Sequence, residues 1–466
     1  MIVVKIYLWG KYVGALVEDG NSISFEYDKE FRDGDNSISP LNLPLRDNTF
    51  SFPELLRKDA FLGLPGVFAD CLPDKFGNKI VEKILRDQGL NQFSQAQKLL
   101  YVGKLGMGAL EFEPAAAVKK NEKIPLDIRN LVEESRKVIQ GDITAKTAEI
   151  MQVGSTAGGM RAKAVIGWNK KTNDVIHGLG HLPKGYESWI LKFDGVEKKH
   201  EPWCALEYVY MRLAKKAGIK TPDVHLLNHE GLKHFMIKRF DRVNGEKIHM
   251  HSLGGLIHSD YNDVGTIDYK DFMTVAKTIG CIAEDARDIF KRMVFNIIAI
   301  NHDDHVKNFS FLMDKNGQWS ISPAYDMTYI QGGKWTKGHQ ITCNGKENEI
   351  NWEDMKAVAE SCGISDPLSL AQEIEHSLHD FASEAKAAGL SAAVIKKVQK
   401  ELKLKLIPNK VSSLKPSRKQ LDKASGKCIN GSKCKNPKAK NRPTKMKSKD
   451  AACSYCKSYE RGRGKK

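Results

Sequence analysis

Apolar and polar residues alternate with a period of two at the start of the chain, most clearly in Ile2-Val3-Val4-Lys5-Ile6-Tyr7-Leu8. Gly-containing turns follow at Trp9-Gly10-Lys11 and Glu18-Asp19-Gly20-Asn21. A period of two turns one side of a strand toward a core, so residues 1–118 are expected to open as a small β-rich unit. Inside that unit the period changes. Residues 74–88 and 95–101 read as short helices, and the three glycines of Val102-Gly103-Lys104-Leu105-Gly106-Met107-Gly108 end the pattern. From 119 to 240 strands and helices alternate: a β-run over 162–168, a strand over 189–193, a helix from Glu207 to Lys216 and a strand over 234–240. From 241 to 407 helices dominate. Over 285–300, Phe290, Val294, Ile297 and Ile298 recur at helical spacing and make one apolar face. Residues 408–466 are rich in Lys, Ser, Asn, Pro and Gly and poor in large apolar groups, so they cannot bury a core unaided.

A length of 466 residues is enough for two to four domains. Neither a basic-then-apolar leader nor an apolar run near the ~18 residues of a membrane span is present, so a soluble, cytoplasmic protein with no membrane partner is expected. The net charge of +16 would suggest nucleic acid if it were spread evenly. It is not. Residues 408–466 hold 19 Lys and Arg against 3 Asp and Glu, the whole excess, while the first 407 residues balance at 54 of each sign. Five of the nine cysteines lie scattered at no metal-ligand spacing and read as reduced structural thiols. Cys428, Cys434, Cys453 and Cys456 crowd into the tail, where four thiolates around Zn²⁺ would give a core-poor segment a staple. The surrounding lysines would then meet phosphate.

Candidate chemistry centres on Asn301-His302-Asp303-Asp304-His305-Val306-Lys307-Asn308, followed by Asp326 in Tyr325-Asp326-Met327. Asp-x-x-x-x-Asn with a second Asp 18 residues on is the layout of protein-kinase active sites. In that reading Asp303 accepts a hydroxyl proton, and Asn308 and Asp326 offer Mg²⁺ the oxygen ligands a hard cation prefers. Lys192, a lone charge among Trp189, Ile190, Leu191 and Phe193, needs a partner or a ligand. Contact with the α- and β-phosphates of ATP, with Glu207 as its pair, supplies one. The segment Gly154, Ser155, Thr156, Ala157, Gly158 and Gly159 could lay backbone N–H groups along those phosphates. His249, His251 and His258 lack a second ligand pair at standard spacing and read as packing or surface histidines.

Together these residues resemble the HipA family, the serine/threonine kinase toxins of bacterial toxin–antitoxin pairs. The resemblance runs over roughly residues 1–400. It is carried by the segments 64–74 and 102–109, Lys192, Glu207 ahead of Leu213-Ala214-Lys215-Lys216-Ala217-Gly218, Lys238-Arg239-Phe240-Asp241-Arg242, Asp303 to Ser310, and Tyr325-Asp326. It implies an α+β, protein-kinase-like fold: a β-rich N-terminal subdomain, an α/β nucleotide-binding lobe and an all-α C-terminal lobe. ATP would lie in the cleft, with Lys238 to Phe240 as hinge, Asp241 near the ribose, and His305 and Tyr325 lining the site. It further implies phosphorylation of a cytoplasmic protein, in known cases an aminoacyl-tRNA synthetase. Neutralisation by a HipB-like antitoxin that binds DNA, and autophosphorylation in the Gly-rich loop at Ser155 or Thr156, are also implied. Asp304 departs from the family pattern and is expected to add negative charge near Mg²⁺. The basic cysteine tail lies outside that pattern.

Overall fold

The computed structural model describes residues 1–34, 36–73, 75–90, 93–115, 125–151, 161–196 and 202–408. The Gly-rich segment at 154–159 and the four tail cysteines lie outside them. Strand β1 (Ile2–Leu8) buries Val4, Ile6 and Leu8 on one side, as its alternation requires. Trp9 and Gly10 both take positive φ, the two-residue turn whose twist suits a hairpin. That turn leads into β2 (Lys11–Asp19), and β3 (Ser22–Tyr27), β4 (Phe50–Ser51) and β5 (Leu110–Glu113) complete an antiparallel sheet ordered β4-β3-β2-β1-β5. Helices Lys75–Asp87 and Gln95–Val102 fall where the period changed.

A second antiparallel sheet is ordered β7-β6-β8-β10-β9, from β6 (Lys163–Trp168), β7 (Val175–His177), β8 (Glu187–Lys192), β9 (Val224–His229) and β10 (Leu232–Lys238). All six residues of β6 are buried, which explains their unbroken apolar run around one lysine. The register pairs Lys163 with Lys192 across β6 and β8, so two ammonium side chains arise side by side. Helix Trp203–Lys216 packs on β10 and carries Glu207.

The remaining region is mostly helical. It also holds a small hairpin, β11 (Arg242–Val243) with β12 (Glu246–Lys247), and a three-stranded sheet that the sequence pattern did not announce: β13 (His249–Ser252), β14 (Ser310–Met313) and β15 (Trp319–Ile321). Helix Ala283–Ala299 buries Phe290, Val294, Ile297 and Ile298 and ends at Ile300 in the left-handed region, at φ 58°. A β-branched residue pays for that conformation, so the surrounding packing must impose the turn into the 301–308 loop. Among the described residues no helix is long and apolar enough to cross a membrane.

One short helix joins the N-terminal sheet unit to that loop. Helix Leu253–Ile257 meets helix Gly66–Ala69 so closely that a Cβ on Gly66 would fall 2.0 Å from the Gly255 carbonyl oxygen. On its other side, a Cβ on Gly254 would come within 2.8 Å of the Val306 side chain. Its cap, Ser252, accepts from Gly255 N and donates to Asp70 Oδ1 at 2.7 Å, while Asp70 Oδ2 accepts from Ser252 N and bonds Nδ1 of His251 at 2.7 Å. His249 and His251 are fully buried, the former bonded to the Ile38 carbonyl and the latter also to Ser39 Oγ. His258 accepts from Gly66 N at 3.1 Å. All three histidines therefore pack against the N-terminal unit.

Candidate active site

Lys192 is the centre of the site. Its ammonium lies 2.6 Å from Glu207 Oε1 and is also ion-paired with Asp326, so β8, helix Trp203–Lys216 and the 322–327 segment converge on one charge. Burial alone would push the Lys192 ammonium down, but Asp326 and Glu207 outweigh it and hold it above its ordinary value. Burial alone would raise Asp326 as well; Lys192 and then Lys163 outweigh it and hold this carboxyl well below the usual range. Glu207 is pushed up, chiefly by burial and then by the nearby Asp326 charge, with Lys192 opposing. Asp326 is thus the more acidic of the two carboxyls. It sits at φ 53°, a costly conformation for a non-glycine residue that turns its carboxylate toward the lysines.

Asp303 stands across the loop with 38% of its side chain exposed, enough for another molecule to reach it. Oδ1 accepts from Gln340 Nε2 at 2.9 Å, and Nε2 of His305 lies 4.0 Å away. Asn308 donates from its amide to the Asp303 carbonyl at 2.7 Å, which ties the two ends of the loop together. His305 also caps the short turn Val306–Asn308, its Nδ1 accepting from Lys307 N. Tyr325 donates to the Lys307 carbonyl at 2.8 Å, shares a hydrogen bond with Ser310 Oγ and stacks on Phe240 with centroids 5.7 Å apart. The structure thus brings Lys192, Glu207 and Asp326 into one ion-paired set, and ties Asp303, His305, Asn308, Phe240 and Tyr325 to the loop and segment that flank it. Lys238, in contrast, pairs with Glu187 at half-exposed positions at the far end of its strand.

Two expectations need correction. Asp241 is fully buried, and its oxygens are taken by Arg239, Arg242 and the Gly108 amide at 2.7–2.9 Å, so no acceptor is left for a ribose. It instead fastens the hinge to the glycine-rich 103–108 turn, where the same arginines also bind the Gly106 and Gly108 carbonyls. Asp304 lines the same cavity as Asn308 and Asp326, but not as a free carboxylate. It is buried and accepts from Tyr269 Oη at 2.9 Å, His339 Nδ1 at 3.0 Å and Gln340 N at 2.8 Å, which turns it into the scaffold.

Lys163 and Gln340 belong to the site without having been singled out in the sequence. Lys163 is the second charge after the glycine-rich segment, following Arg161, a usable signal, but its neighbourhood with Asp326 depends on strand register. Gln340 comes from 37 residues beyond Asp303 and carries no local signature. Asn308 and Asp326 fit Mg²⁺ by donor chemistry, one amide and one carboxylate held ionised; the same cannot be asked of the tail cysteines, which lie outside the described residues.

A model of the HipA N-terminal domain matches residues 4–113, and one of the HipA-like C-terminal domain matches residues 155–389. A "Putative kinase" of Haemophilus influenzae is 30% identical over 138 residues, and the match spans 40% of that protein's length. The "Putative kinase Y4mE" of Sinorhizobium fredii is 25% identical over 354 residues, 70% of this chain and 76% of that one. The "Serine/threonine-protein kinase toxin HipA" of Shewanella oneidensis is 24% identical over 356 residues, 71% of this chain and 75% of that one. Among solved structures, a Shewanella oneidensis complex of HipA, HipB and operator DNA contains a chain of the same fold. It superposes with a TM-score of 0.64 over 86% of this chain and 96% of that one, at 16% identity.

Proposed function

Because the chain belongs to the HipA family, we propose that it is a serine/threonine protein kinase using ATP and Mg²⁺. The observation that supports this most is Lys192 held between Glu207 and Asp326, beside a loop on which Asp303 alone of its two neighbouring carboxylates faces outward. Phosphoryl transfer requires positioning and positive charge around the migrating group, with little covalent chemistry from the protein. Lys192, whose position between two carboxylates keeps it charged, binds the α- and β-phosphates, and Glu207 keeps it aimed. Asn308 and Asp326 hold Mg²⁺, which when bound offsets the phosphate charge. Asp303, oriented by Gln340, takes the proton from the acceptor hydroxyl.

The acceptor is a Ser or Thr of a cytoplasmic protein, with an aminoacyl-tRNA synthetase or another translation protein the class the family resemblance favours, and with Ser155 or Thr156 as sites of autophosphorylation. A HipB-like, DNA-binding antitoxin is the partner we expect, since the Shewanella oneidensis HipA was solved with HipB and operator DNA. With γ-labelled ATP and Mg²⁺ the purified protein should label itself or a substrate, and Asp303→Ala should lower the rate by at least about a hundredfold, the lower range for loss of a general base. Equal labelling by both proteins would remove Asp303 from the mechanism. A second reading, compatible with the first, rests on the confinement of the +16 charge to residues 408–466: the tail binds nucleic acid, with zinc held by its four cysteines.

A further inference from the structure

Between Asp326 and Gln340 the chain runs out to the surface and returns. Its return is pinned beside Asp303 at two points. The Thr336 carbonyl lies 3.3 Å from Nδ1 of His302, and Gln340 bonds to Asp303 through its side chain and to Asp304 through its backbone N–H. Between those pins Gly332 N donates to the Thr336 carbonyl at 2.8 Å and Gly333 N to Thr336 Oγ1 at 3.0 Å, closing a tight turn over a buried threonine. The turn is therefore built, and its pins fall on Asp303 and its chain neighbours His302 and Asp304.

Beside Gln331, Gly332 and Gly333, its outer surface carries Lys334, Trp335 and Lys337. Trp335 retains 49% of its surface, and the Lys334 ammonium lies over its ring, 4.9 Å from the centroid. Neither lysine forms an ion pair among the described residues, and both side chains are exposed. An indole is a large, rigid contact surface, and two lysines on the same turn select negative partners.

We propose that the Lys334-Trp335-Lys337 turn docks the protein substrate and takes an acidic segment with an apolar or aromatic residue near the acceptor hydroxyl. The proposal rests on the protein-kinase reading above. Carboxylates of the segment meet Lys334 and Lys337, its apolar residue covers Trp335, and the hydroxyl is delivered to Asp303. A nucleic-acid strand would also find stacking and positive charge here. The position favours a protein, because the turn is pinned to the loop that carries the proposed base.

The test uses the full-length protein and a short fluorescent peptide with one Ser flanked by Asp, Glu and Phe. Binding by anisotropy is compared with a peptide carrying Lys in place of the acids and with a poly-U oligonucleotide. Trp335→Ala should weaken acidic-peptide binding on the order of tenfold, the scale of one central aromatic contact. Lys334→Glu with Lys337→Glu should weaken it several-fold, by an amount that shrinks as salt rises. In phosphorylation assays both losses should appear in KM, with ATP affinity unchanged. Because binding is read without catalysis, Asp303→Ala should bind the peptide normally, which separates this proposal from the kinase reading. Equal binding of the basic peptide, displacement by poly-U, or unchanged affinity in both variants would each overturn it.

Discussion

Adjacent carboxylates at 303 and 304 share a backbone and little else. Asp303 keeps a reachable surface and one side-chain donor, whereas Asp304 is spent on three donors inside the protein. The two substitutions should therefore separate activity from stability. Asp304→Ala leaves the donors of Tyr269, His339 and Gln340 buried without that acceptor, at about 1–3 kcal/mol for each that finds no substitute. A loss of at least about 3 kcal/mol in urea unfolding is expected, while Asp303→Ala should stay within about 0.5 kcal/mol of the parent. The reverse order would mean that the two side chains have exchanged roles. Asp241 teaches the same lesson: a carboxylate near a hinge looks like a ligand contact until its acceptors are accounted for.

At the scale of elements, helix Leu253–Ile257 transmits order from the N-terminal unit to the 301–308 loop, and its flanking histidines make that contact sensitive to acid. His249 and His258 are each held down to about 4, burial being the largest cause in both. Unfolded, they titrate near 6.5. Between about pH 6.5 and 4 the unfolded chain thus binds protons that the folded one refuses, and stability falls as pH falls through that window. For fully buried His249 the loss at pH 5 is about 2 kcal/mol by this linkage. The urea midpoint should drop from pH 7 to pH 5, and His249→Gln should flatten the slope. An unaltered slope would take His249 out of the linkage.

Across the whole molecule, the first 407 residues form one compact unit, and the excess charge lies beyond it. Removing residues 409–466 should leave the urea midpoint and kinase activity on a small peptide unchanged. Any affinity for RNA or DNA should fall, together with its steep dependence on salt, because that dependence counts released counterions. Affinity and salt slope equal to those of the full chain would place the nucleic-acid contact on the body, or nowhere.

Local rules were enough for much of this protein. Strand β1, the helix through Glu207 and the helix leading to the 301–308 loop follow from periodicity, because one face of each must be buried and spacing along the chain encodes that face. The Lys192–Glu207 pair was legible too, since a charge in an apolar strand demands a partner, and spacing nominated Asp303, Asn308 and Asp326 as candidates. Tertiary structure alone decided which carboxylates remained available. Asp241 and Asp304 are consumed by donors from Gly108, Tyr269, His339 and Gln340, and Lys163 reaches the site through strand register. Hydrogen bonds between residues far apart in the chain leave no periodic trace, so the sequence determined the elements and the candidate charges, and packing selected among those charges.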